Sequence, residues 1–566
     1  MNQKIQDAYP VSPGQVGILF QSLSATTPGA YVIQIRIEIS GHVDPDRETQ
    51  AWEALIARHD SLRTAFVWKG QKQPLQVVGH RAKLHLAHVD ISHMPTATQG
   101  AHCDAWMRDD RAAGFDLSRA PLLRVCRFTL NNDRHVLVVT FHHAILDGWS
   151  IPLLLRDWIT LYAGQTVPPA IAFKRHIVWI QTRDVPAATA FWRTELAGNP
   201  AGQWHLPAPA SPPTQPRHQH TQHIDAPTVT AVIDGLRPHG VTLASAVQGL
   251  WALIQSRVTV EKDVVYGLAR AGRPAAQVGA TQAVGMYVNT LPMRIRVDDD
   301  LPAAQWLHHL QSRVQAQASY EHLSLGQVQT AAGLRRDAPV FDAVVIFENY
   351  PSDPSLLGKP QGFSITSIDV QEQTSAQLAL FVIHAETLTL RLVYDGARVD
   401  EHTAARLLTD LRDGLDALAR DPQVTLGAIP VASKPAPKRP PLAPQRPTVT
   451  SDTNTLGAIW QDILGLANPP DDGAHFFDLG GHSLNVLTLQ DRIRVDLGLT
   501  VEIPDLFHHA TLSAQAAHLL TQTAPDTPDA ARQTQIATRL SGRARLQNRR
   551  TRTTQKEPAS HAPSRS

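Results

Sequence analysis

Apolar and polar positions alternate along residues 31–39 (YVIQIRIEI), which predicts a half-buried strand. Residues 50–58 carry a helical spacing and lead through RHDSLRT (58–64) into a short strand, AFVW. Residues 124–130 and 135–141 read as two more strands, joined by the turn cluster Asn131, Asn132 and Asp133. The second of these, HVLVVTF, is apolar nearly throughout, so both of its faces should be buried. Residues 151–162 form an amphipathic helix with Leu153, Leu154, Leu155, Trp158 and Ile159 inward. Near the N-terminus, Ser12 can cap a helix, Pro13 suits its first position and Gln15 stands where a capping box needs it. Strands mixed with helices continue to about residue 420 without the regular alternation of a barrel, so the large block is α/β. A smaller block follows. Residues 454–466 place Leu456, Ile459, Trp460, Ile463 and Leu464 on one helical face, and Ser483 precedes a second apolar-faced helix through Leu484, Val486, Leu487 and Leu489.

Proline sharpens this partition. Residues 431–450 hold six prolines and almost no large apolar side chain, so they read as a stiff, extended tether. A second Pro-rich stretch, 206–216, reads as an internal loop or hinge. Residues 524–566 turn to Thr, Gln, Ala, Arg and Ser. From Pro525 on they carry nine Lys and Arg against three Asp and Glu, which predicts a basic, disordered tail. Over the 566 residues Lys+Arg number 52 and Asp+Glu 51, a balance that argues against nucleic acid held by bulk charge. No apolar run reaches 18 residues and the N-terminus lacks the regions of a signal peptide, so no membrane segment is expected. The two cysteines, Cys103 and Cys126, exclude a disulfide framework and a Cys-built zinc site, and fit a cytoplasmic protein.

The chemistry concentrates at the end of the buried strand, in His142-His143-Ala144-Ile145-Leu146-Asp147-Gly148-Trp149. A strand end holds the backbone still while the next loop shapes a pocket. Adjacent residues on a strand point to opposite faces, so one histidine can meet a cavity while the other is packed. Asp147 can fold back to fix the loop or to orient the ring, and Gly148 leaves room beside the site. The His-rich run 217–223 lacks a carboxylate or Cys partner for a metal and reads as a solvated loop or strand edge. No Walker-type glycine loop, zinc-protease helix motif or Gly-x-Ser-x-Gly elbow occurs.

The histidine pattern and its surroundings resemble the condensation domains of nonribosomal peptide synthetases. The likeness runs from residue 9 to about 425, through 12–20 (SPGQVGILF), 58–64, 267–274 (GLARAGRP), 284–292 (VGMYVNTLP), 320–328 and 341–351, with a weaker match at 173–179. The departures fall at Asp-Ala and Lys-Arg-His positions of the weaker motifs. The resemblance implies two chloramphenicol-acetyltransferase-like lobes in a V, residues 1–175 and 176–430, with the histidine motif at their seam. It makes His143 the catalytic histidine and His142 structural. It pairs Asp147 with an arginine of the other lobe, for which Arg273 is the candidate through a bidentate contact.

In the small block two glycines let the backbone turn sharply before Ser483, which heads a helix where orphan N–H groups and the dipole favour a phosphate. An ordinary serine N-cap would look the same. Residues 451–523, and DLGGHSL (478–484) above all, resemble a four-helix peptidyl carrier domain. That resemblance implies a phosphopantetheinyl transferase that attaches 4′-phosphopantetheine to Ser483.

Together the two resemblances imply a condensation–carrier subunit that forms an amide or ester bond between a carrier-bound donor thioester and a phosphopantetheine-tethered acceptor. The donor is expected on an upstream carrier domain in trans, since nothing precedes the first motif. With no adenylation domain between tether and carrier, the acceptor is expected to be activated in trans. The histidine and opening motifs lean toward an L-configured donor. The alternatives are a non-catalytic recruitment module, against which the intact motif argues, and an epimerase, which normally follows a carrier.

Overall fold

The computed structural model describes residues 5–432 and 454–521, except 26–28, 70, 72, 132, 199–203, 205–216, 335–338, 349–361, 373–375, 386, 478, 480 and 482. The Pro-rich stretch 206–216, nearly all of the tether and the basic tail lie outside the described residues. The chain divides into two compact units, Met1–Pro441 and Leu442–Ser566, so the division falls inside the expected linker.

The large unit is built on three sheets. A five-stranded sheet runs in the order Phe363–Gln371, Val32–Gly41, Arg134–His142, Leu123–Thr129, His85–Asp90; only the last pair is parallel. A six-stranded mixed sheet runs Asn289–Arg296, Asp263–Arg270, Ala343–Phe347, Leu378–His384, Leu388–Asp395, Arg217–Ile224. A small antiparallel sheet joins Ile5–Pro10, Leu75–Gly79 and Thr64–Val67. The buried helix Leu243–Thr259 and the amphipathic helix Glu401–Arg420 pack with the six-stranded sheet to form the larger core.

One expectation changes in part. Val32 to Ile35 are buried in succession rather than on one face, and from Ile35 to Ile39 buried and half-buried positions alternate as expected. The cause is a crossover: Phe363–Gln371, from the range expected to build the second lobe, pairs with Val32–Gly41 and makes it a central strand. Phe363 anchors that crossover against Trp158 and Tyr162 of the helix Ser150–Tyr162, with ring centroids 5.9 and 5.0 Å apart. The histidine run takes the second of its two expected forms, the edge strand Arg217–Ile224, paired antiparallel with Leu388–Asp395. The other elements form where the pattern placed them. The helix Pro13–Ser24 carries its capping box, in which the Ser12 hydroxyl accepts from Gln15 N–H and the Gln15 amide oxygen accepts from Ser12 N–H. The strand Arg134–His142 is buried at every position after the first.

The small unit is all helical: Asn454–Leu464, Ser483–Arg492 continued by a π-turn to Leu497, Ile503–His508 and Leu512–Thr521. Trp460 and Phe476 are fully buried and meet edge to face at 4.8 Å. Trp460 Nε1 donates to Gln515, whose side-chain amide donates to the carbonyl of Leu506, which ties three helices together.

Candidate active site and carrier serine

The strand Arg134–His142 delivers both histidines, and the strand next to it holds them. His143 N–H donates to Tyr31 O at 2.8 Å, extending the pairing with Val32–Gly41 by one residue. His142 turns inward and is 2% exposed. Its Nδ1 accepts Ala144 N–H at 3.2 Å, so the ring hydrogen is on Nε2, which donates to Ser22 Oγ at 3.0 Å; that hydroxyl donates on to Ile18 O. The chain of hydrogen bonds needs a neutral ring. Burial, assisted by the neighbouring His143 charge, pushes its pKa down to about 3. His176, of the weakly matching motif, is also buried and pushed down to about 4, mainly by burial and despite its bond to Gln277.

Both rings bind a proton near the ordinary imidazole value of ~6.5 only after unfolding. Their stabilisation is therefore complete above about pH 6.5 and is lost as pH falls from there toward the folded values. Each can contribute up to ~1.4 kcal/mol per pH unit over that window. Urea unfolding between pH 7 and pH 5 should show a falling midpoint, and His142→Gln should remove about one proton from the slope. An unchanged slope in that variant would contradict the neutral buried ring.

His143 faces the other way. Its side chain is 12% exposed. Nδ1 lies 2.7 Å from Leu146 O, and since a carbonyl only accepts, Nδ1 must be the donor. The neutral ring therefore presents its lone pair at Nε2. That nitrogen lies 3.4 Å from Oε1 of Glu372, a residue that sequence reasoning did not single out.

Asp147 does not orient that ring. It is fully buried and fastens the lobes together. Oδ1 accepts from Ser150 N–H and from the Ser150 hydroxyl, and Oδ2 accepts from Tyr287 N–H at 3.0 Å. Arg273 completes the cluster, with its side chain 2% exposed. The contact differs from the expected fork: Nη2 alone reaches both carboxylate oxygens, at 2.8 and 2.9 Å, while Nη1 donates to Ala280 O and Ala283 O. The guanidinium carbon lies over the Tyr287 ring, 4.0 Å from its centre. Gly148 is half-buried in the turn before the helix Ser150–Tyr162, and its carbonyl accepts Ile151 N–H. Its φ is not positive, so no left-handed turn demands glycine there.

The opening motif has a second task beside capping. The Gln15 side-chain amide donates to Ala144 O at 2.8 Å and to Gln76, so the first helix grips the residue after His143. Gly14 lets that helix touch the 284–292 motif, because a methyl group there would overlap the Val288 carbonyl. The motifs at 12–20, 142–149, 267–274 and 284–292 thus converge on one place, and His142, His143, Asp147, Gly148 and Arg273 are brought together.

In the small unit Ser483 is the first residue of the helix Ser483–Arg492. Gly481 makes the approach to it possible: a side chain there would overlap the ring and carbonyl of Phe476, to which Gly481 N–H donates at 3.0 Å. A serine heading a helix behind a tight glycine turn suits a phosphodiester, whose charge the helix N-terminus favours. The side chain of Ser483, and Asp478, Gly480 and His482 of the motif, lie outside the described residues.

Residues 5–436 match the family model of the condensation domain, and residues 454–519 that of the phosphopantetheine attachment site. Over 443 residues the chain is 32% identical to a component of the linear gramicidin synthase of Brevibacillus parabrevis, covering 76% of this chain and 8% of that protein. Over 416 residues it is 30% identical to chondramide synthase of Chondromyces crocatus, covering 71% and 10%. The chain thus spans about a tenth or less of the length of these relatives. Among solved structures, the condensation domain of the Monacolin K polyketide synthase shares the fold, with a TM-score of 0.63 at 18% identity over 75% of this chain and 99% of that one. A four-domain nonribosomal peptide synthetase bound to AMP and glycine gives a TM-score of 0.66 at 17% identity, over 87% and 39%. No helix among the described residues is long and apolar enough to cross a membrane.

Proposed function

The chain is a member of the condensation-domain family, and on that premise we propose that it transfers a donor acyl or peptidyl group from a carrier thioester to an acceptor nucleophile at His143. The reading rests on one observation above the others: the Leu146 carbonyl holds His143 Nδ1 as a donor and leaves Nε2 free to take a proton. When bound to Ser483, phosphopantetheine supplies a thiol that carries the acceptor. A phosphopantetheinyl transferase installs it, and donor carrier and adenylation domains act in trans.

An α-amino group has a reference pKa of ~7.7–8.0, so part of it is neutral near pH 7. The proton need leave only as the C–N bond forms. Nε2 of His143 takes it then, and returns it to the sulfur as the C–S bond breaks, so the ring ends as it began. Holding amine and carbonyl in attack geometry contributes at least as much as the proton transfer. Arg273, Asp147 and Gln15 serve this by fixing the loop that carries His143.

Reconstitution with a loaded donor carrier and a loaded acceptor tests the proposal. A new amide or ester supports it; binding without product marks a recruitment module, and an inverted α-carbon marks an epimerase. Ser483→Ala should abolish the mass gain when the chain is incubated with coenzyme A and a promiscuous phosphopantetheinyl transferase. An undiminished gain would place the arm elsewhere.

A further inference from the structure

The His143 loop leaves a donor–acceptor imbalance. Nδ1 is committed to Leu146 O, so in the neutral form that a general base requires His143 offers only a lone pair at Nε2. Facing it at 3.4 Å is a carboxylate, which also only accepts. In that form two acceptors meet, on side chains 12% and 17% exposed, and the contact closes either through a proton on Nε2, as an ion pair with Glu372, or through a donor with two hydrogens between them.

Glu372 is held there by the fold. It follows the crossover strand Phe363–Gln371, whose last residue pairs with Gln34 in the middle of the first lobe's sheet. Arg111 Nη2 donates to both Gln371 and Gln34 at 2.8 Å, which pins the strand end. Among the described residues no lysine or arginine lies within ion-pair distance of Glu372. The nearby Glu348 is matched by Arg391 at 3.5 Å. Burial raises the Glu348 pKa to about 7, opposed by Arg391 and reinforced by the Glu372 charge.

We propose that Glu372 selects an amine over a hydroxyl as the acceptor nucleophile, by accepting the second N–H of the amine whose first N–H points at His143. This rests on the transfer reaction proposed above and makes its product an amide. A primary amine has two N–H groups and one lone pair. One hydrogen goes to Nε2 and is transferred, the other stays with Glu372, and the lone pair forms the C–N bond as the C–S bond breaks. A hydroxyl has a single hydrogen. Given to His143, it leaves Glu372 facing an oxygen lone pair, and a site built for a missing hydrogen bond discriminates strongly.

The probes are pantetheine amides of an α-amino acid and of the matching α-hydroxy acid, titrated into the full chain by calorimetry. The wild type should bind the amine at least about tenfold more tightly, a charge-assisted hydrogen bond being the difference. Glu372→Leu should erase the preference, while Glu372→Gln, which keeps an acceptor oxygen, should retain part of it. In transfer assays the amine-to-hydroxyl ratio of kcat/KM should fall at least about tenfold in Glu372→Leu. Equal affinity in the wild type, a preference that survives Glu372→Leu, or an equal loss for both acceptors would overturn the proposal. A wild type that prefers the amine yet transfers to neither acceptor would sink the condensation reading and leave the selectivity standing.

Discussion

Arg273→Ala should lower the stability of the large unit by about 3–5 kcal/mol, the cost of leaving a buried charge without its partner. The cost is this large because Asp147 is fully buried and has no route to solvent. Its remaining donors are Ser150 and the Tyr287 N–H, all neutral. The substitution also removes a donor from the carbonyls of Ala280 and Ala283 and uncovers the face of Tyr287. Asp147→Ala should cost a similar amount. The double variant should cost much less than the two single losses together, because residues in direct contact couple. Urea unfolding of the full chain, followed by tryptophan fluorescence, measures all three. Additive losses would mean that the two residues act separately.

His143→Ala should reduce product formation by about 10²–10⁴-fold with an amine acceptor, the usual contribution of a positioned general base. Ser483, in the other compact unit, should accept its prosthetic group as fast as before. Stability should change little, because the ring's hydrogen bond to the Leu146 carbonyl spans only three residues. Undiminished turnover would refute a required role for the imidazole. With a hydroxyl acceptor, whose pKa is far above that of an amine, the loss should be larger. The two substitutions thus separate a residue that builds the site from one that works in it.

The local elements were legible because each is written in one stretch of chain. The capping box of Ser12 and Gln15, the doubly buried strand ending at His142 and the apolar face of the helix after Ser483 each depend on residues a few positions apart. Alternation along a strand allowed His142 and His143 to be one packed and one open ring. The spacing of 142–149 marked Asp147 and Gly148, and the family resemblance supplied Arg273 as the candidate partner of Asp147. The other contacts of Asp147 were not legible: Ser150 and Tyr287 meet the same carboxylate only through the packing of the two lobes.

What the sequence determined by itself is the set of parts: an α/β unit with an imidazole at the end of a buried strand, and a helical unit with a serine at a helix start. Both follow from patterns of short period, where burial and hydrogen bonding of the backbone repeat every two or 3.6 residues. Tertiary structure alone decided that a strand from 363–371 enters the first lobe's sheet, because such pairing couples residues more than 300 positions apart and leaves no periodic trace. That single crossover makes 32–41 a central strand, and it sets a carboxylate against the one nitrogen that the Leu146 carbonyl leaves open.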